Sequence, residues 1–171
     1  NIVLCRDYTG IKPLFYLKND DGIFFASDAW FLYSLTDKIL NPYACKFFFQ
    51  FGFTPKETTL IENVNKVLPS TIINYNFKSK QLKYKKYFEI SFDKKINSYS
   101  NTSLEHDLSE IVKKNLISDT KIGIFLSGGI DSSLVTSILS KLDSSNLQTF
   151  SIGFEIPDFD EAIQAKQIAK F

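Results

Sequence analysis

The sequence predicts a mixed fold, α+β in its first half and α/β with a parallel sheet in its second. Three observations predict it. Short apolar runs separated by turn residues fill the first 26 positions. From Ile122 to Phe154 an apolar run, a Gly-rich loop, an amphipathic helix pattern and a second β-rich run follow one another. Between the halves, Ser91 to Asn101 is polar and lacks sustained periodicity. Hydrophobic residues make up 44% of the 171 positions, ample for core formation, and the motif order argues for parts of two domains: 1–92, a linker at 93–101, and 102–171.

In the first half, Ile2 to Leu4 and Leu14 to Leu17 read as strands. Asp7 and Gly10 in the turn between them suit unusual backbone angles, and Arg6 with Asp7 is expected to organise it. Asn19 to Gly22 form a second turn, from which Ile23 to Ala26 return as a strand. Asn41 and Pro42 look like an N-cap and first helical residue, with Gly52 as the stop. Tyr43, Phe47, Phe48 and Phe51 on that helix read as core rather than a cofactor box. Lys78, Lys80, Lys83, Lys85 and Lys86 interleave with Tyr84 and Tyr87, the pattern of a solvated hairpin or a lysine-guarded edge strand. A formal net charge of +1 gives no global support for nucleic-acid binding. Cys5 and Cys45 stand in no metal-ligand spacing and read as buried thiols of a reducing compartment.

In the second half, Thr102 and Glu105 form a capping-box pattern, and Leu104, Leu108, Ile111 and Val112 line one helix face. His106 lies off that stripe and should face solvent. Ile122 to Leu126 read as a buried strand, and Leu134, Val135, Ile138, Leu139 and Leu142 as the apolar face of a helix whose N-cap positions fall at Ser132 and Ser133. Thr149 to Phe154 then supplies a second strand, so the segment predicts a βαβ unit with a right-handed crossover. The loop Ser127 to Ser133 sits at the carboxyl end of a parallel strand, where open α/β sheets bind ligands. Gly128 and Gly129 let backbone amides turn inward, and the helix start adds partial positive charge, which together suit phosphate oxygens. A Walker A loop is excluded because no Lys follows Gly129 before the helix. A nucleophile elbow is disfavoured because Phe125, not Gly, precedes Ser127 by two, and the single histidine is on another helix. A turn serving the chain path alone stays open.

The run Ser127 to Ser133 resembles the pyrophosphate loop of the N-type ATP pyrophosphatases. Taken with Phe125 and Leu126, Thr149 to Phe154, and Asp160, Glu161 and Ala162, it resembles the synthetase domain of the glutamine-hydrolysing asparagine synthetase family. Arg6, Asp7, Gly10, Lys12 to Tyr16 and Phe25 to Asp28 resemble the late part of the class II glutamine amidotransferase domain that precedes it in that family. The resemblance implies the C-terminal part of an Ntn-type αββα domain followed by the start of an ATP pyrophosphatase domain of the adenine nucleotide alpha hydrolase type. With no Met in the chain, it reads as an internal stretch of a longer protein, its catalytic N-terminal Cys expected upstream and its acceptor-binding residues downstream.

The implied reaction makes asparagine from aspartate, glutamine and ATP through a β-aspartyl adenylate. Ser127, Gly128, Gly129, Ser132 and Ser133 are implied as pyrophosphate binders, Leu126 and Ile152 as flanking the adenine base, and Asp131 as holding the loop and contacting Mg²⁺. A structural role for Asp131 at a helix start is the alternative, as it is for Asp160 and Glu161. A related adenylating amidotransferase, a β-lactam synthetase-like ring closer, or a non-catalytic nucleotide-binding module would share these motifs. The implied partners are small molecules, not nucleic acid or membrane, in the cytoplasm, with a homodimer left open. No run approaches the roughly 18 apolar residues of a membrane helix.

Overall fold

A computed structural model describes residues 1–91, 100–142, 147–156 and 160–171, and divides the chain into two units, Asn1–Lys94 and Lys95–Phe171. The first is organised by strand β2 (Phe15–Asn19), whose neighbouring residues Tyr16 and Leu17 bury on opposite faces, as strand alternation requires. β2 lies between β3 (Gly22–Ala26) and β4 (Val64–Lys66), antiparallel to both. A second antiparallel sheet has the order β1 (Ile2–Cys5), β5 (Thr71–Asn76), β6 (Gln81–Lys86). Tyr16 packs with Leu4, Val67 and Ile73, joining the two sheets, while Leu17 packs with Leu32, Ile61 and Val64 under the short helix α1 (Ala29–Tyr33). These make two sheets and a helical cap, a mixed α and β layering.

The turn after β1 is tied as expected, by Arg6 and Asp7. Asp7 accepts the N–H groups of Ile11 at 2.8 Å and Lys12 at 3.0 Å, while the Arg6 guanidinium donates to the carbonyls of Lys12, Val67 and Gly10 at 2.9, 2.7 and 2.8 Å. The N–H of Lys12, then that of Ile11, holds the Asp7 carboxyl at about 2, below its ordinary 3.8. Because the folded value is the lower one, this contribution to stability is complete above about pH 4 and is lost as pH falls through 2. Asp7→Asn should therefore flatten the acid limb of the stability profile in that window. Acid-unfolding curves of the two proteins that stay parallel between pH 4 and 2 would rule this out.

Helix α2 (Pro42–Phe51) has the predicted ends. Asn41 accepts the Ala44 N–H at 3.0 Å, Pro42 is the first residue, and Gly52 closes the helix at φ 78°. The prediction that its aromatics form core is corrected. Ala44 alone is buried on this helix; Tyr43, Phe48 and Phe51 are exposed, and Phe49 is 87% exposed. Aromatics at 43, 47, 48, 49 and 51 surround the helix, so no single buried face could take them. Tyr43, Phe47 and Phe51 instead stack on one another at four-residue spacing, ring centroids 4.9 and 5.5 Å apart. Cys5 is likewise exposed rather than buried, because Leu4 takes the inward position on β1; Cys45 is half-buried. The lysine-rich segment forms the expected hairpin, with β6 at the sheet edge and the exposed Lys83, Lys85 and Lys86 along it.

In the second unit, α3 (Asn101–Lys114) opens two residues before the predicted box. Ser100, extended at φ −78° and ψ 149°, accepts the Ser103 N–H at 3.1 Å and is the N-cap, so Thr102 and Glu105 form no capping box. Glu105 reaches across to Lys141 at 2.7 Å instead, and that ammonium lowers its carboxyl pKa. The predicted apolar face of α3 is not buried: Leu104 and Ile111 are exposed, Leu108 and Val112 half-buried. His106 is exposed, as expected. Of the predicted linker, residues 93–99 lie outside the described residues.

Strands β7 (Gly123–Phe125) and β8 (Gln148–Phe150) pair in parallel, Phe125 opposite Phe150, with α4 (Ile130–Leu142) between them in sequence. Both are shorter than predicted. β7 gives way to the loop after Phe125, so β8 loses its partner beyond Phe150; Leu126 N–H still reaches the Phe150 carbonyl at 2.8 Å, and Ser151 continues the contact through its hydroxyl to the Leu126 carbonyl at 2.6 Å. Helix α5 (Ala162–Ile168) follows. Among the described residues, no helix is long and apolar enough to cross a membrane.

Candidate functional site

The loop between β7 and α4 is held by its own serines. Ser127 Oγ lies 3.0 Å from Ser132 Oγ and accepts the Gly129 N–H at 3.3 Å; Ser132 Oγ accepts the Ser127 N–H at 3.3 Å. The hydroxyls of Ser132 and Ser133 donate to the Gly129 carbonyl at 3.1 and 2.7 Å. Ser132 and Ser133 are thus inside the first turn, not at the predicted N-cap, because α4 begins at Ile130 and the glycine carbonyl is where its first turn converges. Ser133 N–H bonds to Gly129 O at 3.0 Å, which leaves the amides of Ile130, Asp131 and Ser132 as the orphan donors of the helix end. Three N–H groups at a positive dipole end fit phosphate oxygens.

Gly128 has φ +82°, and a Cβ there would lie 2.8 Å from Gln164 Cβ and 3.0 Å from the Ala165 amide nitrogen. Helix α5 is therefore seated directly on the loop. Gln164 and Ala165 were not legible as part of this site; their one sequence signal is a small residue, Ala165, at the contact, where it is buried.

Beside the loop lies an open pocket of about 360 Å³ lined by Phe125, Leu126, Ser127, Phe150, Ser151, Ile152, Phe154 and Glu161. It brings together Leu126, Ser127 and Ile152 of the expected residues; Gly128, Gly129, Asp131, Ser132 and Ser133 are not on its lining. Leu126 is 2% exposed, so its side chain belongs to the core and it offers the pocket backbone rather than an apolar wall. Ile152 is exposed and free to serve as a wall. Phe125 and Phe150, absent from the sequence-based set, share a face through their register pairing, with centroids 6.5 Å apart. Asp160 accepts the Ala162 N–H at 3.0 Å and the Phe154 N–H at 3.4 Å, a structural role at the start of α5; Asp158 lies outside the described residues.

Asp131 is exposed in the first turn of α4. Among the described residues, no group of three or more His, Cys, Asp or Glu side chains could hold a metal ion. A single carboxylate such as that of Asp131 is a hard oxygen donor of the kind Mg²⁺ takes together with phosphate oxygens and water.

Comparison with known proteins agrees with both halves. The family model described as Glutamine amidotransferase domain matches residues 1–88, and that described as Asparagine synthase matches residues 103–171. The chain is 34% identical to asparagine synthetase [glutamine-hydrolyzing] 1 of Bacillus subtilis (strain 168), over 96% of this chain and 26% of that protein. It is 32% identical to a probable asparagine synthetase [glutamine-hydrolyzing] of Acanthamoeba polyphaga mimivirus (97% and 30%), and 28% identical to the asparagine synthetase [glutamine-hydrolyzing] of Rattus norvegicus (99% and 31%). The chain spans about a quarter to a third of the length of the curated relatives it matches. With the two models matched in this order and the likeness running over nearly the whole chain, it belongs to the glutamine-hydrolysing asparagine synthetase family.

Proposed function

We propose that this chain carries parts of the glutaminase and synthetase domains of a glutamine-dependent asparagine synthetase. Residues 1–92 would be the C-terminal part of an Ntn-type αββα amidotransferase domain, 93–101 a linker, and 102–171 the start of an ATP pyrophosphatase domain. The reaction joins ATP, aspartate and glutamine to give asparagine, glutamate, AMP and pyrophosphate. The β-carboxylate oxygen of aspartate attacks the α-phosphorus of ATP and expels pyrophosphate; ammonia freed from glutamine then attacks the acyl carbon and expels AMP. The observation that carries this reading is the loop itself, whose orphan amides open beside a pocket at the carboxyl end of a parallel strand.

In this reading the amides of Ile130, Asp131 and Ser132 take the oxygens of the leaving pyrophosphate, Gly129 adds no side chain to the approach, Gly128 makes room for α5 against the loop, and the hydroxyls of Ser127, Ser132 and Ser133 fix the loop. Asp131 would hold Mg²⁺, which when bound neutralises charge on the phosphates. Leu126 backbone and the Ile152 side chain would flank the base. Neither Cys5 nor Cys45 is the glutaminase nucleophile of this proposal: one lies within a strand and the other within a helix, each with peptide on both sides, and neither has the free α-amine that activates an N-terminal thiol. A cytoplasmic enzyme is part of the same proposal, and size measurement in solution would decide whether it is a homodimer.

The test is pyrophosphate release by the complete protein, with and without glutamine and aspartate, against Asp131→Ala. We expect release that requires aspartate, asparagine as product, and a drop of about tenfold or more in kcat/KM for ATP in the variant, one charge-assisted contact being worth roughly 1.5–3 kcal/mol. Release with a different carboxylate alone would point to a related adenylating amidotransferase or a β-lactam synthetase-like enzyme. Binding of ATP without release would point to a non-catalytic module.

A further inference from the structure

The pocket beside the phosphate loop has three side chains with polar atoms among its lining residues, and two are already committed. Ser151 Oγ donates to the Leu126 carbonyl, and Ser127 Oγ is engaged with Ser132 and Gly129. The third is Glu161. It stands at the N-cap position of α5, yet its side chain makes no capping bond, because the neighbouring Asp160 accepts the Ala162 N–H instead. Glu161 has no partner for its carboxylate among the described residues and is the one ionisable group on a lining otherwise made of Phe125, Leu126, Phe150, Ile152, Phe154 and the two serines.

An ionised carboxylate only accepts hydrogen bonds and repels phosphate. Outside this lining, where the loop that Ser127 begins enters α4, the orphan amides attract phosphate. A nucleotide spanning the two must therefore lie with its phosphates at α4 and its donor groups at Glu161. The ribose hydroxyls present two adjacent donors that match the two oxygens of a carboxylate. We propose that Glu161 binds the ribose hydroxyls of the nucleotide and thereby selects ribonucleotides and fixes the direction in which they lie. This rests on the reading of the pocket as the nucleotide site.

The experiment compares ATP, 2′-deoxy-ATP and ITP as substrates for pyrophosphate release by the complete protein and by its Glu161→Ala and Glu161→Gln variants. A site that spends a charged acceptor on a hydroxyl rejects the analogue lacking it. The wild type should therefore use 2′-deoxy-ATP at least tenfold less well than ATP in kcat/KM, mainly through KM. Glu161→Ala should bring ATP down to the level of 2′-deoxy-ATP while changing the deoxy substrate little, and Glu161→Gln, which keeps one acceptor oxygen, should fall between. Thermal midpoints of both variants should match the wild type, since Glu161 is exposed and unpaired.

An ATP to 2′-deoxy-ATP ratio unchanged by Glu161→Ala would overturn the proposal. So would loss of discrimination against ITP alone, which would place the base amine at Glu161. Failure of the wild type to bind or cleave any of the three nucleotides would remove the nucleotide reading itself, a result distinct from either of these.

Discussion

Gly128→Ala should destabilise the second unit by about 3 kcal/mol and abolish pyrophosphate release. At φ +82° a side chain costs roughly 1–2 kcal/mol whatever surrounds it. What surrounds it is the backbone and Cβ of α5, at 2.8, 3.0 and 3.1 Å, atoms that cannot turn aside as the end of a long side chain could. Overpacking of that kind costs roughly 1–3 kcal/mol. Relief would require α5 to lift away, unseating Ala165, which is 1% exposed. Gly129→Ala is the control: its Cβ would meet nothing closer than Ser127 Oγ at 3.4 Å, and its φ is ordinary, so it should cost less than about 1 kcal/mol. Urea midpoints of the two variants check this, and equal midpoints would mean that α5 yields freely.

Arg6→Ala should cost the first unit a similar amount. The guanidinium serves three carbonyls, two in the turn after β1 and one, that of Val67, across the unit. Val67 is fully buried, and the loss of its donor at 2.7 Å leaves a carbonyl without a partner, a cost of roughly 1–3 kcal/mol by itself. The turn carbonyls of Gly10 and Lys12 are nearer solvent and recover part of theirs from water, so the sum is about 3 kcal/mol. Lys in place of Arg offers a point charge rather than a planar fork and should restore no more than one of the three contacts. Denaturant unfolding of Arg6→Ala and Arg6→Lys gives the comparison. A loss under 1 kcal/mol in Arg6→Ala would show that water replaces the guanidinium at Val67 as well.

The parts of this fold that were legible in the sequence are those set by local chemistry. Asn41, Pro42 and Gly52 mark the ends of α2 through an amide acceptor, a fixed φ and a left-handed residue, none of which depends on distant contacts. The β7–loop–α4–β8 order was legible for the same reason, and the two strands pair in parallel. Burial was less legible, because it depends on what lies opposite. The aromatics of α2 and the apolar stripe of α3 have the composition of core yet stay exposed or half-buried. Cap positions slipped by two residues at α3 and by three to four at α4, where Ser, Thr and Gly crowd the helix start and several could serve. α1 and β4, of five and three residues, are too short to show a period. In the candidate site, the loop was read from its glycines and serines, whereas Phe125, Phe150 and the seat of α5 enter through strand register and tertiary contact.

The pairing of β1 with β5, Ile2 opposite Tyr75 and Cys5 opposite Ile72, has a consequence for the order of events during synthesis. Among the described residues β1 pairs with β5, far from it in sequence, while the hairpins β2–β3 and β5–β6 join strands close in sequence. At the usual elongation rate of about 5–20 residues per second, β1 must wait roughly 4 to 15 s after emerging from the ribosome before its partner exists. During that interval Ile2, Val3 and Leu4 lack their pairing with β5, whereas both strands of the β2–β3 hairpin have already been made. Synonymous codons that slow translation between Ala26 and Thr71 would lengthen the wait for the β1–β5 pairing and leave the two hairpins untouched.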